Sequence, residues 1–248
     1  MANHYRAVGF EVSNEQKFEE LLDRVVEQGD EFAVDGGHMF CWSPIDGAQV
    51  WLLVDDEWNF RGCSPHFSGS SRVPLAITDM RSHLEFWEGS AHAWVNPQSN
   101  DADSGEYPFL FQIPDFYPLN LSLQVPARVN AQIAAFAHEL DFFADAAEFA
   151  ASQTGETKFA SQFFIPSGLF AGENEPQPYA LFAGVIRSYQ RLVNPAYSIA
   201  FHHFEVETLG ATLDVVAEDE LVSAAPVIGS ILNGSFWMSG RVVQPSYL

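Results

Sequence analysis

The sequence predicts an α+β protein in which antiparallel β-sheet dominates. Three observations predict this class. One early segment has the apolar period of an amphipathic helix, and most other segments have the length and alternation of half-buried strands. The last seventy residues, 179–248, consist of strand segments separated by glycine and proline corners, which predicts a small, strongly bent β-barrel or half-barrel. With 248 residues, 47% of them hydrophobic, the chain is long enough to bury a substantial core.

The N-terminal segment predicts one strand and one helix. Residues 5–12 alternate apolar and polar side chains, as a half-buried strand does. Ser13 and Gln16 have the spacing of a capping box, which predicts the start of a helix. One apolar stripe with helical period follows: Phe18, Leu21, Leu22, Val25 and Val26. Gly29 lies where a glycine commonly ends a helix.

The next segments predict three strands, at residues 37–42, 48–54 and 60–65. The predicted order over residues 5–66 is therefore β-α-β-β-β. That order resembles one module of the vicinal-oxygen-chelate (glyoxalase-like) proteins, whose paired modules often hold a metal. The sequence has neither a second such module nor the His/Glu ligand pattern of that family.

Residues 67–125 predict further strands, and the segment that follows is ambiguous. Alternation predicts strands near residues 73–77, 91–95 and 107–113, and a polar, turn-rich surface loop at 97–105.

The apolar positions of residues 127–144 fit one face of a helix and also fit a strand, so both alternatives stay open there. Residues 145–152 predict a helix, because alanine is a strong helix former.

Residues 166–178 contain three prolines and two glycines and predict a linker. We therefore predict an α+β domain over residues 1–170 and a β-barrel domain over 179–248. The latter begins with strands at 180–189, 198–208 and 212–217, the second with a bulge near His203. Long bent strands closed by glycine corners resemble an OB-type barrel.

Several phrases together resemble a family of uncharacterised bacterial proteins with no established activity. They are Ala135-Phe136-Ala137-His138-Glu139, Phe164-Ile165-Pro166-Ser167-Gly168, Thr208-Leu209-Gly210 with Asp214-Val215-Val216, and Phe236-Trp237-Met238-Ser239-Gly240-Arg241. The resemblance implies a bacterial, soluble protein and no particular chemistry.

Charge restricts the partners that the protein can have. Only 11 Lys and Arg residues oppose 33 Asp and Glu residues, which gives a formal net charge of -22 at pH 7. So few cations disfavour binding to nucleic acid and to anionic membranes, whereas a basic protein partner fits the charge. The N-terminus has no signal-peptide pattern and no apolar run is long enough to span a bilayer, so we expect a cytoplasmic protein.

The sharpest chemical pattern pairs His38 with Cys41 and Cys63 with His66. Two Cys and two His are a donor set of structural zinc sites. Residues three apart on a regular strand point to opposite faces, however, and free cysteines are often buried without a metal. We therefore expect no cofactor and keep zinc as the alternative.

The loop of residues 63–72 predicts a small-ligand pocket. It combines hydroxyls, an imidazole, a guanidinium and glycines after a predicted strand. The residues predicted to line it are Trp42, Trp51, Arg61, His66 and Arg72.

No standard catalytic signature occurs: the sequence has no nucleophile elbow, P-loop, dinucleotide fingerprint or zinc-protease motif. The preferred hypothesis is therefore a non-enzymatic binding or protein-interaction protein of the bacterial cytoplasm, with an acidic surface for a basic partner. The alternative is a metal- or small-molecule-dependent enzyme that uses the loop of residues 63–72. The sequence leaves the oligomeric state open.

Overall fold

The computed structural model describes residues 4–83, 87–98, 104–167, 176–223 and 226–243. Over these residues the protein is a mixed α+β fold rich in strands. The helices are α1 (Glu15–Gln28), α2 (Phe116–Ser122) and α3 (Ala146–Ser152), with 3-10 turns at Arg6–Val8 and Asp219–Leu221. The strands are β1 (Asp30–Val34), β2 (Gly37–Ile45), β3 (Ala48–Asp55), β4 (Phe60–Phe67), β5 (Val73–His83), β6 (Glu88–Val95), β7 (Pro108–Ile113), β8 (Ala127–Phe143), β9 (Phe163–Pro166), β10 (Tyr179–Asn194), β11 (Ile199–Glu207), β12 (Thr212–Glu218) and β13 (Ile231–Val243).

The smaller sheet is an antiparallel meander with the order β1-β2-β3-β4. The face that we call outer packs under α1, where Leu21 and Val25 share a core with Phe40 and Leu52, and this core also includes Phe136 of the larger sheet. The inner face of the smaller sheet approaches the larger sheet, to which it is tied by a 3.0 Å hydrogen bond from Gln112 Nε2 on β7 to Ser64 Oγ on β4. The three predicted strands of this sheet are confirmed.

The larger sheet contains nine strands, and its extra pairings close two rings that share the pair β8–β13. One ring is β8-β12-β11-β10-β13, and the other is β8-β5-β6-β7-β13. The strands predicted near residues 73–77, 91–95 and 107–113 are confirmed as β5, β6 and β7. A continuous apolar core fills the sheet interior, with large side chains such as Phe111, Phe182, Phe204 and Phe236 fully buried.

The predicted first strand is wrong. Residues 6–8 form a 3-10 turn that ends at Gly9, whose φ is +78° and whose backbone passes close to Asn194. Val8 and Phe10 alternate because both are buried against the larger sheet, while the backbone between them turns. The observed order is therefore α1-β1-β2-β3-β4, since the unpredicted edge strand β1 follows the helix.

The helix α1 is confirmed, but its cap is Asn14 instead of Ser13. The Asn14 side chain accepts a hydrogen bond from the backbone N–H of Lys17 at 2.9 Å. Gly29 ends the helix as predicted, in an extended conformation with φ −80°. A Cβ at this glycine would lie 2.5 Å from the carbonyl oxygen of Val25, which explains the absence of a side chain.

The ambiguous residues 127–143 form the strand β8, and the helix predicted at 145–152 is confirmed as α3. Strand β8 is buried on both faces: Ile133 and Ala135 face the ring interior, and Ala134 and Phe136 face the N-terminal segment. A strand covered on both sides loses its alternation, which is why helix and strand fitted equally well.

The bulge predicted near His203 is also wrong. The register shift lies on the neighbouring strand β10, between Ile186 and Ser188. The apolar phase changes along β11 because Phe201 packs against Phe67 outside the ring, whereas Phe204 lies in the ring interior.

Strand pairing crosses the predicted linker, of which residues 168–175 lie outside the described residues. Strand β9 before the linker pairs with β10 after it, and β8 pairs with β12 and β13. Strands from both predicted domains therefore complete one sheet, and the two-domain division stays a prediction. The predicted loop at 97–105 also falls partly outside the described residues, at 99–103.

Among the residues that the structure describes, none of the helices has the length and apolar character needed to cross a membrane.

Candidate functional site

A chain of buried polar side chains joins the two sheets. Ser239 Oγ on β13 lies 2.9 Å from His66 Nδ1 on β4, and His66 Nε2 lies 2.8 Å from Gln132 Oε1 on β8. Gln132 Nε2 donates to Asp214 Oδ2 on β12 at 2.8 Å, and His203 Nε2 on β11 lies 2.9 Å from Asp214 Oδ1. His66 and Asp214 are both fully buried. Five strands of both sheets thus converge on one polar chain.

The ionised carboxylate of Asp214 determines the direction of every hydrogen bond in this chain. A carboxylate only accepts, so Gln132 must donate through its amide nitrogen and present its oxygen to His66. His66 then donates from Nε2 and accepts the hydroxyl proton of Ser239 at Nδ1. For the same reason His203 donates from Nε2 to the carboxylate, and in the neutral form of its ring Nδ1 carries the lone pair.

Asp214 stays ionised although it is buried. Burial by itself would raise the pKa of this carboxyl, but hydrogen bonds from His203, Ser71 and Gln132 outweigh it and hold the pKa below its usual range. Ser71 contributes both its backbone N–H, at 3.1 Å, and its hydroxyl, at 2.5 Å. The loop lies directly on the carboxylate, since a Cβ at Gly69 would fall 2.1 Å from the Asp214 side chain.

His66 is neutral and links Ser239 to Gln132 in the interior. Burial, reinforced by the positive charge of Arg241, lowers the pKa of His66 to about 3. The imidazole therefore stays neutral at physiological pH, consistent with its one donor and one acceptor nitrogen.

The chain reaches the surface at His203, which lines a cleft of about 580 Å³. The cleft lies between the hairpin of β10 and β11, the turn between β2 and β3, and the loop after β4. Its polar lining comprises Asp46, Ser68, Ser70, Ser188, Gln190, His203 and Glu205. Nδ1 of His203 has no hydrogen-bond partner among the described residues, and the His203 side chain is 12% exposed.

The cleft is acidic. Glu205 follows His203 by two residues on β11 and accepts a hydrogen bond from the Ser70 hydroxyl, and the exposed Asp46 lines the cleft from the turn between β2 and β3. Neither Lys nor Arg occurs among the described residues that line it. The arrangement can accept hydrogen bonds from a cationic group, and His203 Nδ1 can accept a proton.

No family model, curated protein or solved structure matches this chain.

The loop of residues 63–72 does contribute to the cleft, through Ser68 and Ser70, but the five residues predicted to line a pocket are not brought together there. His66 lies beneath the cleft in the buried chain. Arg72 braces the loop by donating to the carbonyl oxygens of Gly69, at 3.1 Å, and Ser71, at 2.6 Å.

The other three predicted residues have separate structural partners. Trp42 is buried, with its ring 5.6 Å from that of Phe10. Trp51 is buried under the guanidinium of Arg241, which lies 4.3 Å from the indole centroid. Arg61 donates to Asp55 at 2.6 Å in the turn between β3 and β4.

The four residues considered for zinc are likewise separated. Cys41 pairs with Trp51 on the inner face of the smaller sheet, whereas Cys63 is in register with Leu52 on the outer face. His38 contacts Glu31 at 2.7 Å. Within the described ranges, three or more His, Cys, Asp or Glu side chains nowhere form a group suited to a metal ion.

The sequence prediction missed His203, Glu205 and Asp214 as site residues. A signal was present, because Asp214 is a lone carboxylate between Leu213 and Val215 in an otherwise apolar strand. A buried carboxylate requires hydrogen-bond donors, so its position predicts polar partners on neighbouring strands. Which strands those are depends on pairings between distant segments.

Proposed function

We propose that this protein is a binding protein whose cleft at His203 takes up a basic group, an amine or a guanidinium. The ligand is either a small cationic molecule or a basic side chain of a protein partner. The observation that carries the proposal is the lining of one cleft by two carboxylates, Asp46 and Glu205, and by His203, whose Nδ1 has no partner among the described residues. All three groups accept hydrogen bonds from a cation, and no basic side chain of the described lining competes for them.

The charge of the whole chain supports the same ligand class. A formal net charge of -22 attracts cations over long range and raises their local concentration at an acidic cleft. The bacterial cytoplasmic setting expected from the sequence is part of this proposal.

We also propose that the ring β8-β12-β11-β10-β13 is an OB-type barrel. OB folds are five-stranded barrels that bind ligands on the face of their second and third strands. In the meander β10-β11-β12, the second strand lines the cleft through His203 and Glu205, and Asp214 on the third strand lies buried beneath it, bonded to His203.

The test is calorimetric titration at low salt with agmatine, which carries an amine and a guanidinium, and with a nona-arginine peptide. Glu205→Gln is expected to weaken agmatine binding at least tenfold. Glu207→Gln is the matched control, because it removes the same charge from the same strand outside the cleft, where Glu207 pairs with Arg187. Binding of the peptide that Glu205→Gln weakens, without binding of agmatine, would identify a protein partner as the source of the basic group. Equal affinities for the two variants, or no binding of either probe, would refute the proposal.

A second candidate, an enzyme that uses the same loop and cleft, is favoured by the geometry of His203. An ionised Asp214 holds Nε2 of the imidazole at 2.9 Å and leaves Nδ1 open to the cleft, as a general base requires. If the protein is an enzyme, mass spectrometry of agmatine recovered after incubation will show a product that His203→Gln no longer forms. Unchanged agmatine bound equally by both proteins would leave the binding function alone.

A further inference from the structure

A strained and exposed tryptophan lies in the turn between β3 and β4, at the other end of the strands from the loop that lines the cleft. Trp58, in the turn between β3 and β4, has a φ of +64° and is 56% exposed. A bulky side chain rarely adopts this left-handed backbone conformation, because its Cβ crowds the neighbouring carbonyl. Residues held in such conformations concentrate at functional sites.

The turn is built to hold this conformation. Asp55 Oδ1 accepts hydrogen bonds from the backbone N–H groups of Glu57, at 2.9 Å, and Asn59, at 2.8 Å. The backbone N–H of Trp58 donates to the carbonyl oxygen of Asp55 at 2.9 Å. Hydrogen bonds from the Asn59 side chain are the main cause that lowers the pKa of Asp55 to about 2, so this carboxylate is ionised throughout the physiological range.

Trp58 and Phe60, at the two ends of the turn, are exposed aromatic residues, and each packs against an aromatic ring of a neighbouring element. Its indole stacks on the His38 imidazole, with ring centroids 5.0 Å apart and an interplanar angle of 17°. Phe60 is 50% exposed and meets the ring of Phe18 on α1 edge-on, at 5.9 Å. We define Phe18, His38, Trp58 and Phe60 as the Trp58 patch. The indole also contacts the ring of Phe40, with centroids 6.1 Å apart, and Trp58 still keeps 56% of its surface exposed.

Carboxylates surround the Trp58 patch. Glu31 contacts Nδ1 of His38, and Asp56 and Glu57 are exposed immediately before the tryptophan. The guanidinium of Arg61, on the strand that follows the turn, is bonded to Asp55. Residues 15–31, which include α1, contain seven Asp or Glu residues and two Lys or Arg residues.

We propose that the Trp58 patch is the docking site for an arginine- or lysine-rich segment of a protein partner. A cation is attracted to the face of an indole more strongly than to other aromatic rings, and neighbouring cations of the segment would pair with Asp56 and Glu57. Tryptophan is also among the residues that contribute most to protein interfaces. The charge argues against the other occupants, since a second copy of this acidic chain and a nucleic acid would both be repelled. This surface is separate from the His203 cleft and does not depend on it.

The test is fluorescence anisotropy of a labelled nona-arginine peptide titrated with the full chain. Trp58→Ala is expected to weaken binding at least tenfold, and Trp58→Phe about threefold because the smaller ring attracts a cation less strongly. Leu209→Ala is the matched control, since Leu209 is 45% exposed and lies outside the patch. A peptide with glutamine at every position should not bind.

Trp58→Gly separates binding from folding. Glycine adopts a φ of +64° without strain, so this variant is expected to unfold at a higher temperature than the wild type and yet to lose peptide binding. Peptide affinity that is unchanged in Trp58→Ala and Trp58→Gly but reduced in Glu205→Gln would overturn the docking proposal and support the cleft. Loss of peptide binding in the Trp58 variants alone would support the Trp58 patch. The titration with agmatine would then test the His203 cleft separately. A dimer at micromolar concentration that Trp58→Ala abolishes would overturn the proposal in favour of a second copy.

Discussion

Replacing Asp214 by asparagine should change the proton position on His203 while leaving the fold intact. Oδ2 of Asp214 accepts hydrogen bonds from Gln132 and from two groups of Ser71, and Oδ1 accepts the one from His203. The single oxygen of asparagine is needed by the three donors. Its amide nitrogen therefore faces His203 and donates to Nε2, which drives the ring proton to Nδ1.

The cost in stability follows from the same four contacts. A hydrogen bond to a charged group contributes about 1.5–3 kcal/mol and a neutral one about 0.5–1.5 kcal/mol, so the lost charge removes about 4–6 kcal/mol over four bonds. Relief of the desolvation penalty of a buried carboxylate offsets part of this. Asp214→Asn should therefore lower the free energy of unfolding by about 1–3 kcal/mol. Asp214→Ala leaves buried donors without partners and should cost about 3–5 kcal/mol.

The assay is long-range proton–nitrogen NMR of the histidine rings, combined with urea unfolding. The wild type should carry the His203 proton on Nε2, and Asp214→Asn should carry it on Nδ1 and lose affinity for agmatine, because Nδ1 no longer accepts. Asp219→Asn is the matched control, since Asp219 contacts His202 at 2.8 Å and its loss should leave His203 unchanged. An unaltered His203 tautomer in Asp214→Asn, or equal destabilisation by asparagine and alanine, would refute the reasoning.

Three further outcomes test the environment of the site. Gly69→Ala should lower the free energy of unfolding by about 1–3 kcal/mol, because its Cβ would overlap the Asp214 carboxylate. Urea unfolding measures this, and Gly155→Ala, whose nearest contact is 3.5 Å away, is the control that should keep its stability. The pKa of His66 is about 3 in the folded protein and lies below the value of about 6.5 in the unfolded chain. The free energy of unfolding should therefore be constant above pH 6.5 and fall at lower pH, by about 2 kcal/mol at pH 5. If the urea midpoint of His66→Asn falls by the same amount between pH 7 and pH 5 as that of the wild type, the assignment to His66 is wrong. Burial raises the pKa of the Cys41 and Cys63 thiols to about 12, so both should react with a thiol reagent only on unfolding, and rapid modification of either thiol in the native protein would show that its environment is wrong.

Local patterns in the sequence were sufficient for much of the fold. The apolar stripe of α1 and the alternation of β2, β3 and β5 were predicted because each depends on residues within about ten positions of one another. The loop of residues 63–72 was also predicted to line a pocket, and Ser68 and Ser70 of that loop line the cleft. The net charge of -22 follows from composition alone, and it is the sequence feature that favours the cationic ligands of both proposals.

Tertiary structure decided whatever depends on segments far apart in the chain. Strand β8 is a strand because β5, β12 and β13 supply its hydrogen bonds, and burial on both faces removed the alternation that would have shown it. Asp214 is 143 positions from Ser71 and 82 from Gln132, and only strand pairing and the contact between the two sheets bring their side chains together. The turn at Trp58 likewise takes its left-handed backbone from bonds to Asp55, which no periodicity encodes. Periodicity is a property of one segment, whereas a binding site is a property of the distances between segments.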